Sequence, residues 1–169
     1  AAHMYPVLTL KPEREVHLKN RHHAIFRGTV ADLPKAPDGS IVEVRSSTGE
    51  FLCFATLNRQ AYICGWAIAF EPGDPLVQLK KSIERSIAMR RTLIPSTDTT
   101  TCRLVNAEGD AIPGLIVDQY GDTLVVQFTT LGMDRLRNWV RDVLMELCTP
   151  RAIFEKSTGA SRKNEGLPN

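Results

Sequence analysis

The chain has 169 residues, 43% of them hydrophobic, and its 21 Lys and Arg against 19 Asp and Glu give a formal charge of +2. That length can bury one ordinary core or two small ones, because domains usually run about 50–200 residues. No run approaches the roughly 20 apolar residues of a membrane span, and the start lacks the basic-then-apolar layout of a secretion signal, so a globular, cytoplasmic protein is expected.

Ala1, Ala2 and His3 ahead of Met4 read like a cloning remnant, and His3 is set aside. Leu8 to Leu10 predicts a short extended piece. Pro12, with Glu13 and Glu15 beside it, predicts the start of a short helix reaching about Lys19. Ala24 to Val30, Ile41 to Arg45, Phe51 to Leu57 and Ala61 to Phe70 are rich in β-branched or aromatic residues. Pro-Asp-Gly-Ser, Ser-Thr-Gly-Glu and Asn-Arg-Gln separate them, the spacing of a compact β-barrel. Glu71-Pro72-Gly73-Asp74-Pro75 concentrates breakers and predicts a domain boundary. Leu76, Leu79, Ile83 and Ile87 then recur at helical spacing, with Lys81 and Arg85 on the far side and Pro95 as the stop, predicting an amphipathic linker helix over 73–98.

From Thr99 the pattern returns to strands at Thr101 to Asn106, Gly114 to Gln119 and Thr123 to Thr129, the last two joined through Tyr120-Gly121-Asp122 as a hairpin. Met133, Leu136, Val140, Val143, Leu144 and Leu147 form an apolar helical stripe, and Ala152 to Glu155 is one more strand. The reading is therefore α+β. A β-rich unit over 4–72 and the linker helix precede a small unit of strands, one long helix and a strand over 99–160. Ser161 to Asn169 is polar and reads as a linker towards something further.

Charge is segregated along this order. Lys11, Arg14, Lys19, Arg21 and Arg27 stand against Glu13 and Glu15, and Lys80, Lys81, Arg85, Arg90 and Arg91 against Asp74 and Glu84. Between Asn106 and Asp122 the charged residues are all acidic: Glu108, Asp110, Asp118 and Asp122. A polyanion should meet the first two segments and avoid the third. Within the first, His17, Arg21, His22, His23, Phe26 and Arg27 mix phosphate donors with rings that can stack on unpaired bases, as single-stranded RNA recognition requires. The candidate RNA-binding residues are Lys11, Arg14, Arg21, His22, Arg27, Lys81 and Arg85. Local packing of the histidines and simple solvation of the basic helix face are the plainer alternatives.

Catalytic chemistry is not visible. The eleven glycines never adopt the spacing of a dinucleotide or phosphate loop, and neither a Ser-centred nucleophile elbow nor a paired metal-binding histidine motif occurs. Cys53, Cys64, Cys102 and Cys148 are scattered and read as reduced thiols rather than metal ligands. The four acidic residues sit beside glycines or turns, where carboxylates commonly bond local backbone. No cofactor, metal or complete active site is expected in this chain.

Leu10-Lys11-Pro12-Glu13-Arg14-Glu15, Arg21-His22-His23-Ala24-Ile25-Phe26-Arg27-Gly28, the run from Cys102 through Pro113-Gly114-Leu115-Ile116-Val117-Asp118 to Asp122, and the Ser161-Arg162-Lys163-Asn164-Glu165-Gly166 tail carry a family resemblance. The chain resembles the amino-terminal part of the bacterial large-subunit rRNA cytosine-C5 methyltransferases that carry a PUA domain. The resemblance implies a PUA barrel to about residue 72, then a small α+β domain. In the full-length family a Rossmann-like domain follows, binding S-adenosylmethionine and supplying a nucleophilic cysteine. None of the four cysteines here lies in that motif. Relatives often carry Pro-Trp where this chain has His23-Ala24, so a stacking role at that position is not carried over. The expected partner is rRNA in a single-stranded or loop region. The rival readings are a protein-interaction module, in which the hairpin and the Met133 to Leu147 helix form a homodimer or dock a partner, and a free-standing PUA accessory of another RNA-modifying enzyme.

Overall fold

The computed structural model describes residues 4–93, 101–156, 162, 163 and 165–168. The helix stop expected at Pro95 lies outside these residues, as do Ala1 to His3, Thr99, Ser161, Asn164 and Asn169. The elements in chain order are β1 (Val7–Leu10), α1 (Val16–Lys19), β2 (Ala24–Phe26), β3 (Val30–Asp32), β4 (Ile41–Arg45), β5 (Phe51–Leu57) and β6 (Ile63–Ala69). They are followed by α2 (Pro75–Leu93), β7 (Thr101–Asn106), β8 (Leu115–Tyr120), β9 (Thr123–Phe128), α3 (Leu131–Arg135), α4 (Arg137–Cys148) and β10 (Ala152–Glu155).

The first six strands form one sheet in the order β2-β6-β5-β4-β1-β3. Neighbours are antiparallel except β1 and β4, which run parallel with Leu8 opposite Val44. Register shifts interrupt the ladders at Thr9/Leu10, Ile25/Phe26, Val44/Arg45 and Phe54/Ala55. Such irregularities bend and overtwist strands, and here they let the sheet curl around its own core of Leu8, Val42, Val44, Cys53, Ala55, Leu57 and Cys64. Phe51 to Leu57 is central, as its apolar run on both faces predicts, and six of its seven residues are buried.

Two expectations for this half need correction. The strand read over Ala24 to Val30 is broken after Phe26, because the Thr29 hydroxyl donates to the Phe26 carbonyl at 2.7 Å and turns Arg27–Thr29 into a single 3₁₀ turn. Its two halves end on opposite edges of the sheet, β2 on β6 and β3 on β1. The helix read from Pro12 starts only at Val16, since Glu13 takes a left-handed φ of 65° that helical backbone excludes.

α2 begins where the breakers stop. The Asp74 carboxylate accepts from the Leu76 N–H at 2.9 Å, with Pro75 in the first turn, where its missing N–H costs nothing. Its inner face, Leu79, Ile83 and Ile87, is buried in a core shared with Phe54, Ile68 and Ala69 of the curled sheet and Leu104, Val105, Leu115 and Val117 of the second. At about 1.5–3 kcal/mol per buried aliphatic side chain, this seam makes the helix a common wall of both sheets. The Ser86 hydroxyl, also buried, donates to the Leu104 carbonyl at 2.8 Å.

The second sheet has the order β10-β9-β8-β7. β8 and β9 form the expected hairpin, with Tyr120 paired to Thr123 across a two-residue Gly121-Asp122 loop; Gly121 has φ 60°, as the first loop position of a II′ turn requires. β10 is parallel to β9, and such a pair needs a crossover, which α3 and α4 supply. The single long helix expected there is interrupted at Leu136 (ψ 9°), so its stripe is split between two helices. The tail packs too. Arg162 is buried and donates to the Phe128 carbonyl at 2.7 Å and to Asp134 at 3.2 Å, while Glu165 accepts from the Leu131 N–H at 3.0 Å.

α3 touches β5 where Gly132 meets Thr56, and any Cβ at 132 would collide with the Thr56 side chain. Gly132→Ala is expected to cost about 2 kcal/mol and lower Tm by about 4–8 °C, as overpacking does in a domain of this size, which a thermal melt checks.

Candidate nucleic-acid interface

Arg21 closes α1 in a left-handed conformation (φ 61°), with its N–H on the Leu18 carbonyl at 3.0 Å. That conformation swings its side chain over the end of β6. The guanidinium lies 5.3 Å from the Phe70 ring centroid and bonds Glu71 at 2.9 Å. His23 Nδ1 donates to the Ala67 carbonyl at 2.7 Å, which fixes the protonated nitrogen, and its ring meets Phe70 edge-on at 5.1 Å. His23 therefore belongs to the packing, whereas Arg21 is exposed and its ion pair with Glu71 lies open to solvent, where a phosphate can compete for the guanidinium.

Between this corner and α2 lies an open cleft of about 680 Å³, bordered by Arg21, His23, Phe70, Glu71, Lys81 and Arg85. Three of the seven residues expected to contact RNA thus meet although 64 positions separate Arg21 from Arg85 in the sequence. Lys81 and Arg85 are one helical turn apart, exposed, and without an ion-pair partner among the described residues. Other basic residues of the same helix are engaged: Lys80 pairs with Glu146 at 2.7 Å, and Arg90 with both oxygens of Asp110 at 2.8 and 3.0 Å.

Lys11, Arg14, His22 and Arg27 are exposed but do not line this cleft. Arg14 borders a hollow of only about 10 Å³ with His17 and Phe26. His22 meets His17 edge-on at 5.5 Å, and the Arg27 N–H donates to the Tyr62 carbonyl at 2.9 Å. Two of the four carboxylates of the acidic segment are committed to the fold. Asp110 accepts from the Asn106 N–H at 2.7 Å besides holding Arg90, and Asp118 pairs across strands with Arg103 at 2.8 Å.

Among the described residues no group of three or more His, Cys, Asp or Glu is placed to hold a metal. The four cysteines are free thiols, and burial pushes Cys53, Cys64 and Cys148 above their usual range, away from the nucleophilic thiolate. S-adenosylmethionine has no evident cradle among these residues either. Such cofactors sit at the carboxyl ends of parallel strands beside a helix N-terminus. After β9 that position is filled, since the Thr130 hydroxyl accepts from the Met133 N–H and Glu165 from the Leu131 N–H.

A second hollow, of about 430 Å³, was not legible in the sequence; it is lined by Tyr62, Ile63, Trp66, Glu108, Thr130 and Glu165. Glu165 comes from the tail and Trp66 from β6, and only the fold joins them.

Residues 8–70 match the family model of the PUA-like domain, and these are the residues of the curled sheet. Over its length the chain is similar to two curated proteins named ribosomal RNA large subunit methyltransferase I. It is 34% identical over 164 residues to that of Shewanella amazonensis, covering 95% of this chain and 41% of the relative. With that of Vibrio cholerae it shares 31% over 168 residues, covering 97% and 42%. The chain thus spans about two fifths of the relatives it matches. The fold is similar to that of part of a candidate SAM-dependent methyltransferase from Streptococcus mutans, at TM-score 0.76 and 23% identity over 90% of this chain and 40% of that one. A candidate methyltransferase solved with SAH gives TM-score 0.77, with the same identity and coverage.

The carboxyl of Glu165 is pushed above its ordinary value of 4.5 by burial, which outweighs the Leu131 N–H and the nearby Asn58 and Trp66 donors. A carboxyl with a raised pKa holds its proton more tightly in the folded than in the unfolded chain. Its contribution favours folding at low pH and is lost as pH rises above the ordinary value through the raised one. Glu165→Gln stays neutral, so its Tm relative to the parent should rise between about pH 4 and pH 7. Melts at a series of pH values check this, and a pH-independent difference would contradict it.

Proposed function

We propose that this chain is the RNA-recognition part of an S-adenosylmethionine-dependent rRNA methyltransferase acting at cytosine C5. In this reading the curled sheet and α2 hold rRNA, and the second unit orients a catalytic domain that binds the cofactor and carries the nucleophilic cysteine. The cleft carries the proposal, because it gathers Arg21, Lys81 and Arg85 around an aromatic floor. Guanidinium and ammonium groups neutralise phosphate, and the Phe70 ring gives an unpaired base a face to approach. Similarity to rRNA methyltransferases supports the substrate class. The filled β9-to-α3 junction supports placing the cofactor elsewhere in the full-length protein.

Lys11, Arg14, His22 and Arg27 join this interface as an outer group engaging RNA that continues past the cleft. The rival reading, a dimerisation module, draws on β10, an edge strand with Phe154 61% exposed, and it predicts a doubled mass on size exclusion without RNA.

Titration with single-stranded rRNA fragments between about 50 and 200 mM salt tests the proposal, since each phosphate contact to a single strand contributes a log–log slope of about −0.7. Arg21→Ala/Lys81→Ala/Arg85→Ala is expected to weaken binding at least tenfold at the lower salt and to flatten the slope by about 2. Lys11→Ala/Arg14→Ala/Arg27→Ala should have the smaller effect. The opposite ranking would move the interface to the α1 side, and unchanged affinity in both would remove it.

A further inference from the structure

β6 connects two hollows. Its carboxyl end leads to Phe70 and the basic cleft, and its amino end, with Tyr62, Ile63 and Trp66, forms one wall of the 430 Å³ pocket. Seven strand residues put the two roughly 20 Å apart. The 3₁₀ turn at Ala107–Asp110 lies between them, since Glu108 lines the pocket and the adjoining Ala111 lines the cleft.

The pocket has the chemistry of a planar, uncharged ligand. Its volume falls in the ~300–1,000 Å³ range of ligand sites. At its mouth Tyr62 is 75% exposed and tilted against Phe26 at 5.4 Å between centroids, leaving a ring free on one side. Inside, the Trp66 indole N–H is buried and makes no hydrogen bond with the described residues. It lies close enough to the Glu165 carboxyl to favour the charged form without reaching bonding geometry. A buried donor left unmade costs about 1–3 kcal/mol, so an orphan beside an acceptor in an open pocket is a position for a ligand atom. Glu108 and Glu165 would repel a phosphate, whereas a carboxylate accepts well from an amino group.

We propose that this pocket takes one unpaired base of the bound RNA, by the edge that sets an amino group beside a ring nitrogen, as adenine and cytosine do. The amino group donates to Glu165, the ring nitrogen accepts from Trp66 Nε1, and Tyr62 stacks on the face. The inference rests on the RNA-binding reading and deepens it: the cleft holds backbone, and the pocket reads one base. Uracil presents a carbonyl oxygen where cytosine has the amino group, and a ring N–H where cytosine has the acceptor. It should therefore be rejected.

Fluorescently labelled rC6 and rU6 hexamers, titrated against the whole chain and against Tyr62→Ala and Trp66→Phe, test this by anisotropy. The parent should bind rC6 about tenfold more tightly than rU6, the discrimination expected of one well-made base contact. Trp66→Phe, which keeps a ring but loses the donor, should erase that preference. Tyr62→Ala, at an exposed position whose truncation leaves the core intact, should weaken both hexamers several-fold. Salt-dependent binding with equal affinity for rC6 and rU6 would overturn the base pocket while leaving the cleft reading standing. A preference that survives both variants would also overturn it, and failure of both hexamers to bind at low salt would remove both readings.

Discussion

Leu79 and Ile83, both fully buried, press α2 against two sheets at once, and the candidate interface depends on that packing. A helix with one apolar stripe must bury it, and here neither sheet covers it alone. Phe54, Ile68 and Ala69 come from one side, Leu104, Val105 and Leu115 from the other. With the stripe fixed inward, Lys81 and Arg85 are placed beside the end of β6, where Phe70 and Arg21 wait. The cleft is therefore a consequence of core packing rather than of a loop, and rigid placement of this kind keeps charged groups poised without a ligand.

Ion pairing then decides which charges of α2 a polyanion meets. Exposed pairs such as Lys80–Glu146 add little stability, but they remove a cation from the field of the surface. Arg90 is withdrawn more firmly, because Asp110 has a nearly buried side chain and grips it with two oxygens. Two carboxylates of the acidic stretch are likewise consumed, Asp110 by Arg90 and Asp118 by Arg103. Four of the helix's basic residues thus resolve into an engaged pair, Lys80 and Arg90, and an available pair, Lys81 and Arg85, that lies by the cleft.

Local chemistry made much of the fold legible. Asp74-Pro75 announces the start of α2, the spacing of Leu79, Ile83 and Ile87 its buried face, and Gly121-Asp122 the hairpin. What escaped was non-local. The parallel pairing of β1 with β4 has no signature in either strand. Arg21, Lys81 and Arg85 each stood out as basic residues, yet their meeting needed the core. The Trp66–Glu165 pocket was invisible because its two polar groups are 99 positions apart and the tail reads as polar linker. Buried Arg162 shows what such composition conceals: a guanidinium with several backbone and carboxylate acceptors can be a core residue.

The central claim is that RNA enters along the cleft formed by β6, Arg21 and α2. The most direct test is to follow the backbone amides of isotopically labelled protein by NMR as single-stranded rRNA is added. Shifts concentrated at residues 21–23, 67–74 and 77–85 are predicted. Shifts confined to α4 and β10, with this corner unmoved, would contradict the account.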